Sequence, residues 1–200
     1  MRAIPFAAFL KTGAKQVMDV LDEKVIVTRR FVLQPLRRAD AERMFDGLND
    51  PASYQFTPDM PFPDVAALAG RYARLERRRS PDLQEVWLNW TIGSAGTEQL
   101  SGYVQLTVKP AERRALIAYF VFPANRRQGV AAETVAAVLA EAICGFALSR
   151  VDAEIDTRNV ASIRTIERLG FERVRRVPNA DHFKGATSDE YHYSYFVSNA

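Results

Sequence analysis

The sequence predicts a mixed α/β fold built on one central, mostly antiparallel sheet flanked by helices. Three observations carry that reading. Residues 86–122 contain three segments of strand character joined by short turn-like connections. The third of these runs through an Arg-rich loop holding Gly129 directly into a long apolar helical pattern. The chain then closes on a segment with tyrosines at alternate positions, Tyr191, Tyr193 and Tyr195, as a half-buried strand requires.

The elements follow in order. Residues 25–33 are rich in Val, Ile, Thr and Phe and read as one opening strand. Asp40 is placed to cap a helix through about Leu48, with Met44 and Leu48 on one face, and Asn49-Asp50-Pro51 ends it. Residues 54–63 hold three prolines and three aromatics and read as a loop. Residues 64–79 read as a helix with Leu68, Tyr72 and Leu75 on one stripe. Its other face, carrying Arg71, Arg74, Arg77, Arg78 and Arg79, reads as solvated. Residues 86–92 and 102–108 alternate, whereas 115–122 is almost continuously apolar and reads as a strand buried on both faces. These three form an antiparallel meander. A helix over 131–148, a strand over 151–155, a helix over 160–169, a strand after Gly170-Phe171 and a last strand over 191–197 complete the order. An amphipathic helix around 14–21 is expected within an N-terminal extension, residues 1–24, ahead of a domain spanning 25–200.

Composition bounds the function. A chain of 200 residues, 48% hydrophobic and 26% charged, is long enough to bury on the order of 70% of its unfolded surface in one domain. The net charge of +3, from 27 Lys and Arg against 24 Asp and Glu, does not call for a nucleic-acid partner but tolerates an anionic ligand. A single cysteine, Cys144, cannot form an internal disulfide, which suits a reducing cytoplasm. No apolar run approaches the roughly 20 residues of a membrane span, and the apolar stretch in residues 4–10 lacks a cleavage region after it. Two histidines and one cysteine without ligand spacing argue against a metal site.

The most informative stretch is Tyr119-Phe-Val-Phe-Pro-Ala-Asn-Arg-Arg-Gln-Gly-Val-Ala131. A helix N-terminus offers unpaired N–H groups and partial positive charge. Glycine there lets the backbone approach a ligand closely, and Arg126 and Arg127 add full charges. Together these make a phosphate cradle, with an ordinary strand-to-helix turn as the bland alternative. Neither a Walker A loop nor a G-x-G-x-x-G fingerprint is present.

Arg126-Arg-Gln-Gly129-Val-Ala131 resembles the [QR]-x-x-G-x-[GA] signature of the GNAT superfamily of N-acetyltransferases. Asp156-Thr-Arg-Asn159-Val-Ala-Ser162 and the following Leu169-Gly170-Phe171 look like the family's N-x-x-S and L-G-F segment. Thr28-Arg-Arg-Phe-Val-Leu-Gln-Pro-Leu36 and Asp189-Glu-Tyr-His-Tyr193-Ser resemble the opening and closing strands of the RimJ/RimL-like branch. The likeness covers residues 25–198. It implies acetyl-CoA as co-substrate and splayed central strands with a wedge between them. The strand over 115–122, through Phe120, Val121 and Phe122, would serve the pantetheine arm. The N–H groups of Gln128, Gly129, Val130 and Ala131 would take the pyrophosphate, with Arg126 and Arg127 beside it. Asn159 would touch the cofactor arm.

By the same resemblance the amine attacks the thioester directly. Neutralising an α-amine at pH 7 costs about 1 kcal/mol, against roughly 4–5 kcal/mol for a lysine amine, so a modest base suffices for the former. Asp181 matches the branch's acidic position, one methylene shorter than Glu, with a role as base, directly or through a water, set against that of a plain loop aspartate. Ser162 is the candidate donor to the thiolate, with helix capping as its rival role. Tyr191 and Tyr193 are alternative donors but read as core. His182 could act as base but reads as an exposed loop residue. Cys144 reads as packing, and Glu133 as a complement to its helix dipole.

The acceptor is a small-molecule or peptide amine, and a homodimer is permitted. An antibiotic- or polyamine-modifying enzyme and a catalytically silent CoA-binding module remain open. Acceptor choice falls to residues 54–63, the helix from Asp64 and the loop 181–188. An acidic acceptor would meet Arg71 or Arg74; a cationic one would meet Asp59, Asp64 or Asp181.

Overall fold

Among the described residues eight strands, numbered in chain order, form one sheet in the order β1-β2-β3-β4-β5-β6-β8-β7. The computed structural model describes residues 23–197; the helix expected around 14–21 lies outside them. The strands are β1 (Ile26–Val27), β2 (Phe31–Pro35), β3 (Val86–Ser94), β4 (Leu100–Lys109), β5 (Arg114–Val121), β6 (Arg150–Asp156), β7 (Glu172–Phe183) and β8 (Ala186–Phe196). The helices are α1 (Ala41–Leu48), α2 (Val65–Leu75), α3 (Val130–Phe146) and α4 (Val160–Arg168). Every strand pairing is antiparallel except β5 with β6. That pair is joined by a crossover through α3, as parallel neighbours require.

Strand alternation sorts side chains into two cores. Leu88, Trp90, Val104, Leu106, Ala115, Ile117, Val151 and Ile155 face α3 and α4 and pack with Val135, Val138 and Ile166. On the other face Leu36, Met44, Leu48, Leu68, Tyr72 and Leu75 pack α1 and α2 against Trp87, Tyr103 and Phe120. Gly102, at φ 147°, lies so close to β5 that a Cβ there would sit 1.9 Å from the Phe120 carbonyl oxygen.

Several expectations need correction. The opening strand is two strands, because residues 28–30 turn and Thr28 N donates back to Phe31 O at 2.9 Å. Asp40 precedes α1 but does not cap it. Its carboxylate accepts from Arg37 N behind it, at 2.8 Å. The second helix stops at Leu75, and Arg78 takes φ 61° and turns inward. The Arg78 guanidinium is buried and donates to the carbonyls of Leu36 and Asn89, so this arginine is not part of a solvated face. β5 is not buried on both faces: it alternates, and Leu116 is 39% exposed. Residues 181–188 are not a loop but the end of the β7–β8 hairpin, which turns at Lys184-Gly185 with both φ positive. Cys144 is exposed rather than packed. Lys24, assigned to the extension, is tied to the domain: its carbonyl accepts from Trp90 Nε1 at 2.9 Å and its ammonium pairs with Glu141.

Candidate active site

The parallel pairing of β5 and β6 lasts three residues, from Arg114 opposite Arg150 to Leu116 opposite Asp152. Beyond it each strand keeps only its other neighbour. β5 stays on β4 as far as Val121 opposite Gly102, and β6 stays on β8 as far as Asp156 opposite Glu190. A wedge therefore opens in the middle of the sheet. From Ile117 onward, the main chain of β5 presents an edge with no strand across it.

The wedge ends at the loop into α3. Arg127 (φ 60°) and Gly129 (φ 74°) are both left-handed, and α3 starts at Val130. No main-chain N–H from Gln128 to Ala131 meets an acceptor among the described residues. These donors sit at a helix N-terminus, where anions bind. The four residues fit a diphosphate, and the open edge of β5 fits an extended amide-bearing arm.

The loop is held from behind by a contact the sequence did not reveal. Glu133, in the first turn of α3, accepts from Thr28 Oγ1 (2.8 Å), Arg30 N (3.0 Å) and Arg30 Nε (2.7 Å). Arg30 Nη1 donates to Gln128 O at 2.8 Å. Burial would raise the Glu133 pKa, but the bonds from Arg30 and Thr28 outweigh it and hold the carboxyl below its ordinary value. Glu133 thus does more than complement a dipole, and Arg30 brings a further cation beside the cradle.

The other assigned residues divide. Arg127 is exposed beside the cradle. Arg126 is folded back: Nε donates to Val121 O at 3.1 Å, Nη2 reaches Ser53 Oγ, and the guanidinium carbon lies 5.9 Å from the centroid of the Phe120 ring. Phe122 is buried against α1, and its N–H is taken by Ser101 O at 2.8 Å, so Phe120 and Val121 carry more of the open edge than Phe122 does. Asn159 caps α4, its Oδ1 accepting from Ser162 N at 3.1 Å. Ser162 Oγ lies 2.8 Å from the Tyr119 hydroxyl. Burial pushes the Tyr119 phenol up, partly offset by its bond to Ser162, so it stays a donor at neutral pH. Tyr119 opens the informative stretch, but nothing in the sequence marks it as a site residue.

Asp181 stands on β7 opposite Ser188, and its Oδ1 accepts from the neighbouring His182 N at 2.7 Å. His182 is exposed, with Nδ1 3.3 Å from Thr187 Oγ1. Ser188 Oγ donates to Asp156 Oδ2 at 2.7 Å, and Arg158 closes on the same carboxylate at 2.6 Å. The hairpin is thereby locked to the end of β6. Glu190, opposite Asp156, has its pKa raised by burial first and by Glu154 next, with Asp181 adding to it. Tyr193 is fully buried and donates to Glu167 at 2.9 Å, as expected of core. One group, Glu154, Glu190 and His192, brings three metal-ligand atoms within 4.8 Å. The Arg175 guanidinium, 3.3 Å from His192 Nδ1, occupies one of the two ring nitrogens of that group.

A parted parallel strand pair beside a bare helix N-terminus is the architecture of a transferase that takes a long phosphorylated co-substrate. Residues 30–172 match the family model described as the Acetyltransferase (GNAT) domain, more than two thirds of the chain. The chain belongs to that family and is an acetyltransferase that uses acetyl-CoA. It is 24% identical over 151 residues to the uncharacterized N-acetyltransferase YoaA of Bacillus subtilis, covering 74% of this chain and 83% of the relative. In fold it is similar to a GNAT-family acetyltransferase from Bacillus anthracis, at a TM-score of 0.74 and 18% identity, over 86% of this chain and 98% of the other. It is also similar to RimL, a ribosomal L7/L12 α-N-protein acetyltransferase solved with coenzyme A. There the TM-score is 0.77 at 15% identity, over 87% of this chain and 98% of the other. Among the described residues no helix is long and apolar enough to cross a membrane.

Proposed function

We propose that the protein acetylates a primary amine, either a protein N-terminal α-amine or the amine of a small molecule, by direct attack on the thioester of acetyl-CoA. The observation that carries this reading is the wedge between β5 and β6, closed at one end by the Gln128–Ala131 amides. Bound there, acetyl-CoA supplies an activated acetyl group and a thiolate leaving group. The amides of Gln128 to Ala131 hold its diphosphate, with Arg127 and Arg30 adding charge. The β5 edge around Phe120 and Val121 orients its arm, and Asn159 stands near that arm at the head of α4.

Two protons must move. The amine loses one to Asp181, through a water because the side chain is short, and the thiolate gains one from Ser162. Tyr119, hydrogen-bonded to Ser162, replenishes that proton. A second reading of the base is favoured by Glu190, whose half-buried carboxyl has a raised proton affinity and interacts with Asp181. RimL acts on an α-amine, and the microcin self-immunity acetyltransferase MccE, also similar in fold, was solved with acetyl-CoA and AMP. Both acceptor classes are therefore worth testing on this chain. A homodimer and a cytoplasmic location complete the proposal.

The test is thiol release from acetyl-CoA with a panel of peptides, polyamines and aminoglycosides. Turnover on at least one amine supports the reading. Tight cofactor binding with turnover on none favours a CoA-binding regulatory module. Asp181→Asn should lower kcat chiefly below the acceptor's pKa. If the pH–rate profile is unchanged and Glu190→Gln alters it, the base is Glu190.

A further inference from the structure

A cavity of about 260 Å³ lies on the face of the sheet covered by α1 and α2. It lies just below the roughly 300–1,000 Å³ of drug-sized ligand sites and so suits a small occupant. Asn89 of β3 and Tyr103 of β4 form its floor, and Tyr72 of α2 lines its wall. Two polar groups in this lining have no partner. The Tyr72 hydroxyl and Asn89 Nδ2 are both buried, on residues 4% and 3% exposed, and neither meets a hydrogen-bond partner among the described residues. A buried hydroxyl or amide left bare is costly, so both call for a polar occupant. The Asn89 nitrogen can only donate. Burial raises the Tyr72 phenol pKa far above neutrality, so it too has a proton to give.

The charge at the mouth has the matching sign. Arg71 and Arg74 line it, and neither makes an ion pair among the described residues. One carboxylate, Asp59, stands at the Tyr54 and Tyr103 side. In the lining two guanidinium groups stand against one carboxylate, with the Asp40 charge also felt at Tyr72 and the Arg71 charge also felt at Tyr103; that leaves a site for an anion, with a place for a cation beside Asp59. That side adjoins the reaction site. The Tyr103 ring stacks on Phe120 with centroids 5.9 Å apart, and the Tyr54 ring is 5.5 Å from Phe120. Phe120 lies on the stretch of β5 that has parted from β6.

We propose that this cavity seats the anionic end of the acyl acceptor, a small primary amine that also carries a carboxylate or phosphate. The Tyr72 hydroxyl, the Asn89 amide and the Arg71 and Arg74 guanidinium groups hold the anion. The amine then passes Asp59 and Phe120 toward the thioester. The inference rests on the acetyl-transfer reading above and narrows it.

The experiment compares acceptors matched in everything but the anion: an amino acid and its amide, and phosphoethanolamine and ethanolamine. Thiol release gives kcat/KM, and calorimetry with the corresponding N-acetyl products gives affinity without chemistry. The anionic member of at least one pair should be favoured tenfold or more, and which pair discriminates separates carboxylate from phosphate. Arg71→Gln, on an exposed face, should reduce that preference at least fivefold. Tyr72→Phe and Asn89→Leu should do the same while leaving thermal stability unchanged or higher. Equal turnover within both pairs, or a preference that survives all three substitutions, overturns the inference and leaves acetyl transfer standing. Product binding without turnover on any amine leaves the anion seat standing and sinks the acetyl-transfer reading. No binding of any N-acetyl product and no turnover sinks both.

Discussion

The two sides of the cleft are built by different means. The cofactor side is local: one strand, one loop and one helix, residues 114–146, follow each other without interruption. Its working groups are main-chain amides, which any sequence supplies once glycine and the helix start are in the right places. The acceptor side is assembled from distant segments. The Lys184 ammonium, at the tip of the β7–β8 hairpin, donates to the carbonyls of Tyr54, Thr57 and Asp59 and so holds the 54–63 loop across more than a hundred residues of chain. The Arg158 guanidinium lies 6.0 Å from the Phe56 ring and so links the end of β6 to the same loop. Binding a common co-substrate needs only backbone geometry; choosing an acceptor needs side chains gathered from across the fold.

The first substitution breaks the cofactor side alone. Gly129→Val places a β-branched residue at φ 74°, with its Cβ 3.3 Å from Arg30 Nη2. The backbone strain costs about 1–2 kcal/mol, or roughly 2–8 °C in a domain of this size. Coenzyme A affinity should fall at least tenfold, measured by calorimetry on folded protein. A collapse in melting temperature with unchanged affinity per folded molecule would remove the cradle from the argument.

Next comes the chemistry between the two sides. Ser162→Ala should lower kcat by about a hundredfold if Ser162 donates to the thiolate, since a positioned proton donor is worth about 10²–10⁴. Tyr119→Phe should lower it by about tenfold. Cofactor affinity should hold in both. If Ser162 serves only the helix start, Ser162→Ala will shift the melting temperature and leave kcat intact.

A smaller effect should appear on the acceptor side. Lys184→Met removes the staple on the 54–63 loop. The acceptor KM should rise a few-fold, about the factor that one partly exposed charge-assisted contact is worth. Coenzyme A affinity should not move. If both constants shift together, the two sides are coupled and the contrast drawn above fails.

The same contrast explains what could be read in the sequence. The element order was legible, apart from the doubled opening strand, because apolar periodicity and the Gly129 loop are local signals. The helical pattern over 64–79 outruns the helix because nothing local marks Leu75 as an end. Arg78 turns inward to reach Leu36 O and Asn89 O, acceptors that exist only once the sheet has formed. Asp181 reads as a loop residue from Asn179-Ala-Asp-His, yet the hairpin turns only at Lys184-Gly185; Asn179 (φ 50°) sits where the register slips between Val177 and Asp181. The clasp of Glu133 on Arg30 joins residues 103 apart and has no sequence signature. The cavity beneath α2 is invisible in the sequence for the same reason, although Arg71 and Arg74 themselves read as able to meet an acidic acceptor.

That clasp supplies the smallest test and a sign to check. The folded pKa of Glu133 is depressed, so its contribution to stability is present above the ordinary glutamate pKa of 4.5. It is lost as pH falls through the lower folded value. Because the Arg30 side chain is 45% exposed, solvent screening limits the gain to about 1 kcal/mol or less. Glu133→Gln should therefore lower the melting temperature by no more than about 2–4 °C at pH 7, and the gap to the parent should narrow as pH drops from 5 to 3. A gap that widens toward acid would reverse the sign and mean that the carboxyl is held neutral. A constant gap would mean that Glu133 acts by shape alone, and that the β1–β2 turn keeps its place on α3 without the charge.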